Sequence, residues 1–225
     1  ALYRSKNLDH LGLVAALYDE LGIGTLIDTL IPQDLEQRHV SVGQAVKAMV
    51  INGLGFTQSP LYLSPKFFDD KPVERLIAPN IQAEQLNDTT LGRAMDAIFK
   101  HGVSELFAQI SMKTVKRLGL ECRITHVDTT SFHTDGVHNS NDEPEDGVIH
   151  ITKGYSRDHR PDLNQIGLQL ICEHQAGIPL LMEPLNGNTI DKDSFHELIK
   201  NHIGQLKTEV GLEYLIADSA LYTAK

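Results

Sequence analysis

The stretch Arg123–His133, RITHVDTTSFH, constrains this chain more than any other. β-branched and aromatic residues fill it (Ile124, Val127, Thr129, Thr130, Phe132) and neither Gly nor Pro interrupts it, so a strand is predicted. Asp128 sits in its middle. Period-two alternation puts Ile124, His126, Asp128, Thr130 and Phe132 on one face, so the acid has apolar neighbours. A carboxylate buried there would be costly without a partner or a cation. The segment Tyr214–Asp218, YLIAD, has the same build: an apolar strand ending in an acid. The expectation is that these two strands lie side by side and bring Asp128 and Asp218 to one metal site.

Upstream of that strand the periodicity is helical. Leu8, Leu11, Leu13, Val14, Leu17 and Leu21 fall at helical spacing after a possible Asn7 cap, and Gly22 closes the segment. A short helix, 25–31, stops at Pro32, and Ser41 is placed to cap a helix over 42–52. Prolines at 60, 72 and 79 delimit two short helices near 61–68 and 73–77. Asp88 is read as the cap of a helix to His101, and Ser104 as the cap of another to Leu118. Residues 1–120 are thus predicted to form an all-α domain.

After Gly119 the period switches to two. A polar segment of about thirty residues (134–164) contains a turn at Asp146-Gly147, a short VIHIT and the aperiodic GYSRDHRPDLNQ. QIGLQLICE and IPLLMEP then read as a hairpin joined by His174-Gln175-Ala176-Gly177, followed by a helix from Ser194 to about Val210 under an Asp193 cap. Three antiparallel strands, a helix, and a further strand parallel to the first make an α/β arrangement with an RNase H-like core over 121–225. A right-handed crossover places the last strand beside the first.

Charge bears on the class of partner. The net charge is −10 and the pI about 5.5, which opposes a simple basic nucleic-acid footprint. The acidity is uneven: residues 1–121 carry 12 Lys and Arg against 14 Asp and Glu, and residues 122–225 carry 8 against 16. A carboxylate metal site is expected to be locally acidic. Two carboxylates about 4 Å apart repel by roughly 4 kcal/mol at an effective dielectric near 20. One must take a proton or a cation must sit between them. Oxygen ligands without thiolates favour Mg²⁺ or Mn²⁺, and paired ions can activate water and stabilise a leaving oxygen in phosphodiester displacement. The competing reading makes Asp128 an acid hydrogen-bonded to Thr129 or Thr130, and Asp218 a helix cap.

Four motifs in order, HVDTTSFH, GYSRDHRPDLNQ, GIPLLMEPLNGN and ADSALYT, resemble the catalytic domain of bacterial insertion-sequence transposases of the DDE type. The branch is one whose N-terminal helical domain carries a segment like NIQAEQLNDTTLGRAMDAIF. The resemblance runs from about Leu8 to Lys225. It implies that Asp128 and Asp218 are the first two metal-binding, catalytic acids, with Mg²⁺ or Mn²⁺ as cofactor. It further implies DNA partners (transposon terminal inverted repeats and target DNA) and a homodimer in the synaptic complex. The family's third acid is a Glu on a later helix, and the sequence stops seven residues after Asp218. The 225-residue chain is therefore expected to resemble a C-terminally truncated transposase that does not cut or join DNA by itself.

Lys153, Arg157, His159 and Arg160 are candidates for contacts to DNA phosphate near the cleaved bond. The alternative pairs Arg157 and Arg160 with Asp158 and Asp162. Arg93, Lys113, Lys116 and Arg117 carry a similar ambiguity between phosphate contact and a solvated face. His126, His133, His138 and His150 suggest a metal-dependent hydrolase as a rival, and a non-catalytic DNA-binding remnant of a transposase is a third reading. No run approaches the roughly 20 apolar residues of a membrane span and the N-terminus has no basic-then-apolar pattern, so no membrane partner and a cytoplasmic location are expected.

Overall fold

A computed structural model describes residues 5–33, 38–57, 59–136, 148–154, 160–189 and 191–217, with the side chains at 191–194, 196, 198 and 199 left aside. The chain divides into two compact units, Ala1–Leu106 and Phe107–Lys225. Among the described residues no helix is long and apolar enough to cross a membrane.

The first unit is helical: α1 Leu11–Glu20, α2 Ile23–Leu30, α3 Val42–Gly53, α4 Ser64–Phe68, α5 Val73–Leu76 and α6 Asp88–His101, with 3₁₀ turns at Leu61–Leu63 and Ala83–Gln85. Ser41 caps α3 as expected, in a reciprocal box: its hydroxyl accepts from the Gln44 amide while the Gln44 side chain accepts from the Ser41 amide. Asp28 braces the same end, accepting from the Ser41 hydroxyl, the Gly43 amide and the Gln33 side chain at 2.7–2.8 Å. Two caps differ from expectation. Asn7 bonds Asp70 rather than opening α1, and α6 is capped by Asn87, which accepts from the Thr90 amide and leaves Asp88 in the first turn.

Helix α1 buries Leu11, Ala15 and Tyr18, while Leu13 and Leu17 face outward. The Tyr18 hydroxyl, buried, donates to the Gly43 carbonyl at 2.8 Å, and that contact selects the face. Burial first, and the nearby charges of Asp28 and Asp19 second, push the Tyr18 phenol well above its ordinary range. Lys47 is buried on α3 and reaches Asp19 at 2.7 Å. Helices α2 and α3 meet at glycine: a Cβ on Gly43 would strike the Gly24 carbonyl and lie 2.8 Å from its Cα.

α7 Val103–Leu118 begins in the first unit and runs on into the second, where β1 Ile124–Thr134, β2 Thr152–Lys153, β3 Asn164–Glu173, β4 Pro179–Leu185, α8 Asp191–Val210 and β5 Tyr214–Ala217 follow. β1 and β3 pair antiparallel from Thr125 opposite Glu173 to Thr134 opposite Asn164. β5 pairs parallel to the other edge of β1, the adjacency that the element order implies. β4 and the two-residue β2 share the outer edge of β3 end to end. This is the expected α/β class: a helical region followed by a mixed sheet. The unit boundary, however, falls at 106/107 rather than 120/121. Ala108, Met112 and Val115 of α7 join Cys122, Val127, Ile171, Leu180, Leu181, Leu206 and Leu212 in one buried core, so α7 packs with the sheet that follows it. Ser104 lies inside α7 and does not cap it.

The β3–β4 turn is held by Glu173, which is 1% exposed and accepts from the amides of Gln175, Ala176 and Ile178 at 2.7–3.0 Å. Burial pushes its carboxyl up, but the backbone donors of Ile178, Gln175, Ala176 and Gly177 outweigh that and hold it below its ordinary value. A depressed carboxylate stabilises the fold above the unfolded-state range, and that contribution is lost as pH falls through the folded value. Glu173→Gln is expected to lower stability at neutral pH by about 1–3 kcal/mol. The denaturation midpoints of the two proteins should converge as acid titrates the native carboxylate. Gly43→Ala is expected to cost about 1–3 kcal/mol by overpacking α2 against α3. Gly92→Ala on α6, where an added Cβ meets nothing within 4 Å, should instead gain about 0.5–1 kcal/mol in the same denaturant titration.

Candidate functional site

Asp128 lies on β1 opposite Leu170 of β3, on the face that also presents His126, Thr130 and Phe132. Ile166, Leu168 and Leu170 of β3, and Met182 and Pro184 of β4, share that face by register. The acid therefore has the apolar neighbours that alternation predicts. It is exposed, however, and the opposite face of β1, with Thr125 and Val127, is the buried one. The cost of burying an ion, which first marked Asp128 out, does not arise. The reason lies in the helices: the core built from α7 and α8 covers the Val127–Ile171 side of the sheet. The Asp128 Oδ1 accepts from the Thr129 amide at 2.8 Å, close to the competing hydrogen-bonded reading.

The parallel register pairs Ile124 with Tyr214, Thr125 with Leu215, His126 with Ile216 and Val127 with Ala217. Asp218, the residue after Ala217 in sequence, lies outside the described residues, as do Arg157, His159 and His138. Among the described residues no group of three or more His, Cys, Asp or Glu is gathered to hold a metal. Asp128 is thus the described member of the expected acid pair, and the described donors alone do not complete a cation site.

Lys153 is exposed on β2 and pairs with Asn164, which pairs in turn with Thr134. Register puts it on the same sheet face as Asp128, but six residues along β1, about 20 Å at about 3.3 Å per residue. Arg160 enters the same end of the sheet through the turn in which the Leu163 amide bonds its carbonyl. Its guanidinium forks onto Asp162, Nε to Oδ1 at 2.9 Å and an Nη to Oδ2 at 2.8 Å, the ion-paired alternative. That hydrogen bond holds the Asp162 carboxyl down at about 2. Neither cation sits beside Asp128.

The histidines resolve individually. His126 Nε2 lies 2.8 Å from His174 Nδ1, with the rings stacked at 5.1 Å. His174 was not among the expected residues. It follows β3 at the hairpin, where its amide bonds the Ile124 carbonyl, and only the β1–β3 register reveals it as a diagonal neighbour of His126. His133 is partly buried on β1, on the face opposite Asp128, and His150 precedes β2 with its amide on the Asn186 side chain. Lys116 and Arg117 occupy the last turn of α7, complementing the helix dipole.

Residues 3–112 match the model of a family described as a domain of unknown function, DUF4277. The match spans the helical unit and the first turns of α7 and stops before β1. No curated protein and no solved structure matches the chain. The likeness found by comparison therefore falls on the helices, and the sheet face that carries Asp128 is characterised by its own geometry.

Because Arg160 and Asp162 are both exposed, their pair contributes little to stability. Arg160→Ala is expected to move the unfolding free energy by less than about 0.5 kcal/mol, measured by urea titration. A loss of DNA binding in that variant would then report a lost contact rather than a lost fold.

Proposed function

We propose that the sheet unit is the catalytic core of a DDE-type insertion-sequence transposase. Its activity is Mg²⁺- or Mn²⁺-dependent phosphodiester cleavage at transposon ends, followed by joining of the freed 3′-hydroxyl to target DNA. One observation carries this reading. β1 and β5 pair in parallel up to Val127 and Ala217, and each of those residues immediately precedes one acid of the motif pair, Asp128 and Asp218. Such pairing is what two acids far apart in sequence require if they are to serve one ion.

The chain's own residues suit the role. β1 is paired with β3 through Asp128 and with β5 up to Val127, so the backbone leading into Asp128 is held on both edges. The carboxylate is open to solvent, where a phosphate can approach, and the Thr129 amide orients one of its oxygens. Asp128 and Asp218 would hold the cation, which when bound supplies Lewis acidity at the phosphate and lowers the pKa of water. Lys153, on the same face, suits a contact to DNA backbone away from the cleaved bond. In this reading the partners are transposon-end and target DNA, and the synaptic complex is a homodimer.

The metal-hydrolase alternative draws less support, because His126 already directs Nε2 to His174. Mn²⁺ binding by the chain, followed by electron paramagnetic resonance, tests the proposal. Asp128→Asn and Asp218→Asn are each expected to weaken Mn²⁺ binding by about tenfold or more with the fold intact. Equal Mn²⁺ affinity in wild type and both variants would remove the metal site, and with it the transposase mechanism.

A further inference from the structure

We infer that the helical unit carries a second nucleic-acid contact, a phosphate-backbone site in the recess beside α6 walled by Arg38, Arg93, Lys100 and His101. Two recesses of about 270 and 530 Å³ share Arg38 and Arg93 in their walls. Arg93 and Lys100 stand seven residues apart on α6, two turns along one helix face. Arg38 comes from a different element, three residues ahead of the Ser41 cap. Segments some sixty residues apart in sequence thus converge three cations on one concavity, whose apolar lining includes Ile31, Pro32 and Ala97.

Among the described residues these cations have no acid paired to them. Asp96 lines the larger recess and Glu84 the smaller, yet among the described residues neither forms an ion pair with Arg38, Arg93 or Lys100. His101 adds a ring nitrogen, Nε2, that is buried without a hydrogen-bond partner among the described residues. The surroundings make the cluster stand out, since residues 1–106 carry 9 Lys and Arg against 13 Asp and Glu. Complementing the helix dipole accounts for Lys100 and His101 in the last turn of α6. It does not account for Arg93 in mid-helix or for Arg38.

The spacing selects a polyanion. Arg93 and Lys100 are separated by about 10 Å along the helix axis, whereas duplex strands present a phosphate about every 3.4 Å of their axis. A row of cations at that interval suits a repeating charge better than a lone anion. Such contacts position a protein on DNA and read no sequence. The choice of DNA as ligand rests on the transposase reading above; the recess itself involves neither Asp128 nor a metal.

The test is fluorescence anisotropy of a labelled duplex of about 30 base pairs with the whole chain, in EDTA, over about 50–200 mM salt. The double variant R93E/K100E is expected to bind at least about tenfold more weakly than wild type at the lowest salt. Its log affinity against log salt should flatten by about 2, one phosphate per cation removed. R38E should lose affinity in the same direction, whereas K66E, an exposed change outside the recess, should not. R93A/K100A serves if charge reversal perturbs folding, checked by circular dichroism. Unchanged affinity in the recess variants, losses equal to those of K66E, or no duplex binding by wild type would overturn the assignment. Working in EDTA separates this outcome from the Mn²⁺ result: either can fail while the other stands.

Discussion

The double-sided pairing of β1 is the constraint from which the sheet unit follows. A strand bonded antiparallel to β3 on one edge and parallel to β5 on the other cannot slip by one residue without exchanging its two faces. Val127 and Thr125 would then face outward, and Asp128 would enter the core built from α7 and α8. The exposed position of the acid is therefore a product of register. Parallel pairing requires a crossover, and α8 supplies it, so the element that closes the core also delivers the second acid-bearing segment to the edge of β1.

The helical unit depends on different physics. Its helices approach at glycine and are joined by buried polar ties: Tyr18 to the Gly43 carbonyl, Lys47 to Asp19, and Asp28 to the first turn of α3. Each tie leaves from α1 or α2 and ends on α3 or its cap. Side chains thus do here what the hydrogen-bond ladder does in the sheet. The comparison with known families falls on this unit, and its polar ties give that sequence a physical signature independent of the sheet.

Much of the fold was legible because its signals are local. The Ser41 box, the switch of period at Gly119, the apolar strands and the hairpin before Ile178 each lie within a few residues. What was not legible depends on long-range contact. The buried face of α1 includes Tyr18, which meets Gly43 twenty-five residues on, and leucine spacing alone does not show which side that contact covers. Asn7 looked like a cap because nothing nearby reveals Asp70. At the candidate site, Asp128 and its apolar neighbours follow from alternation, but which face is covered depends on α7 and α8. The His126–His174 contact and the distance from Asp128 to Lys153 emerge only with the β1–β3 register. Arg93 was visible as an isolated cation, while Arg38 could not be joined to it without the folded helices.

The allegiance of α7 has a practical side. Its buried residues Ala108, Met112 and Val115 close over Val127, Ile171 and Leu181. Anyone dissecting the chain by the obvious glycine at 119 would strip the sheet of one wall of its interior and expose an aliphatic surface meant to stay dry. A soluble fragment bearing Asp128 must begin upstream of Phe107, carrying the helix as an integral part of the sheet's own fold.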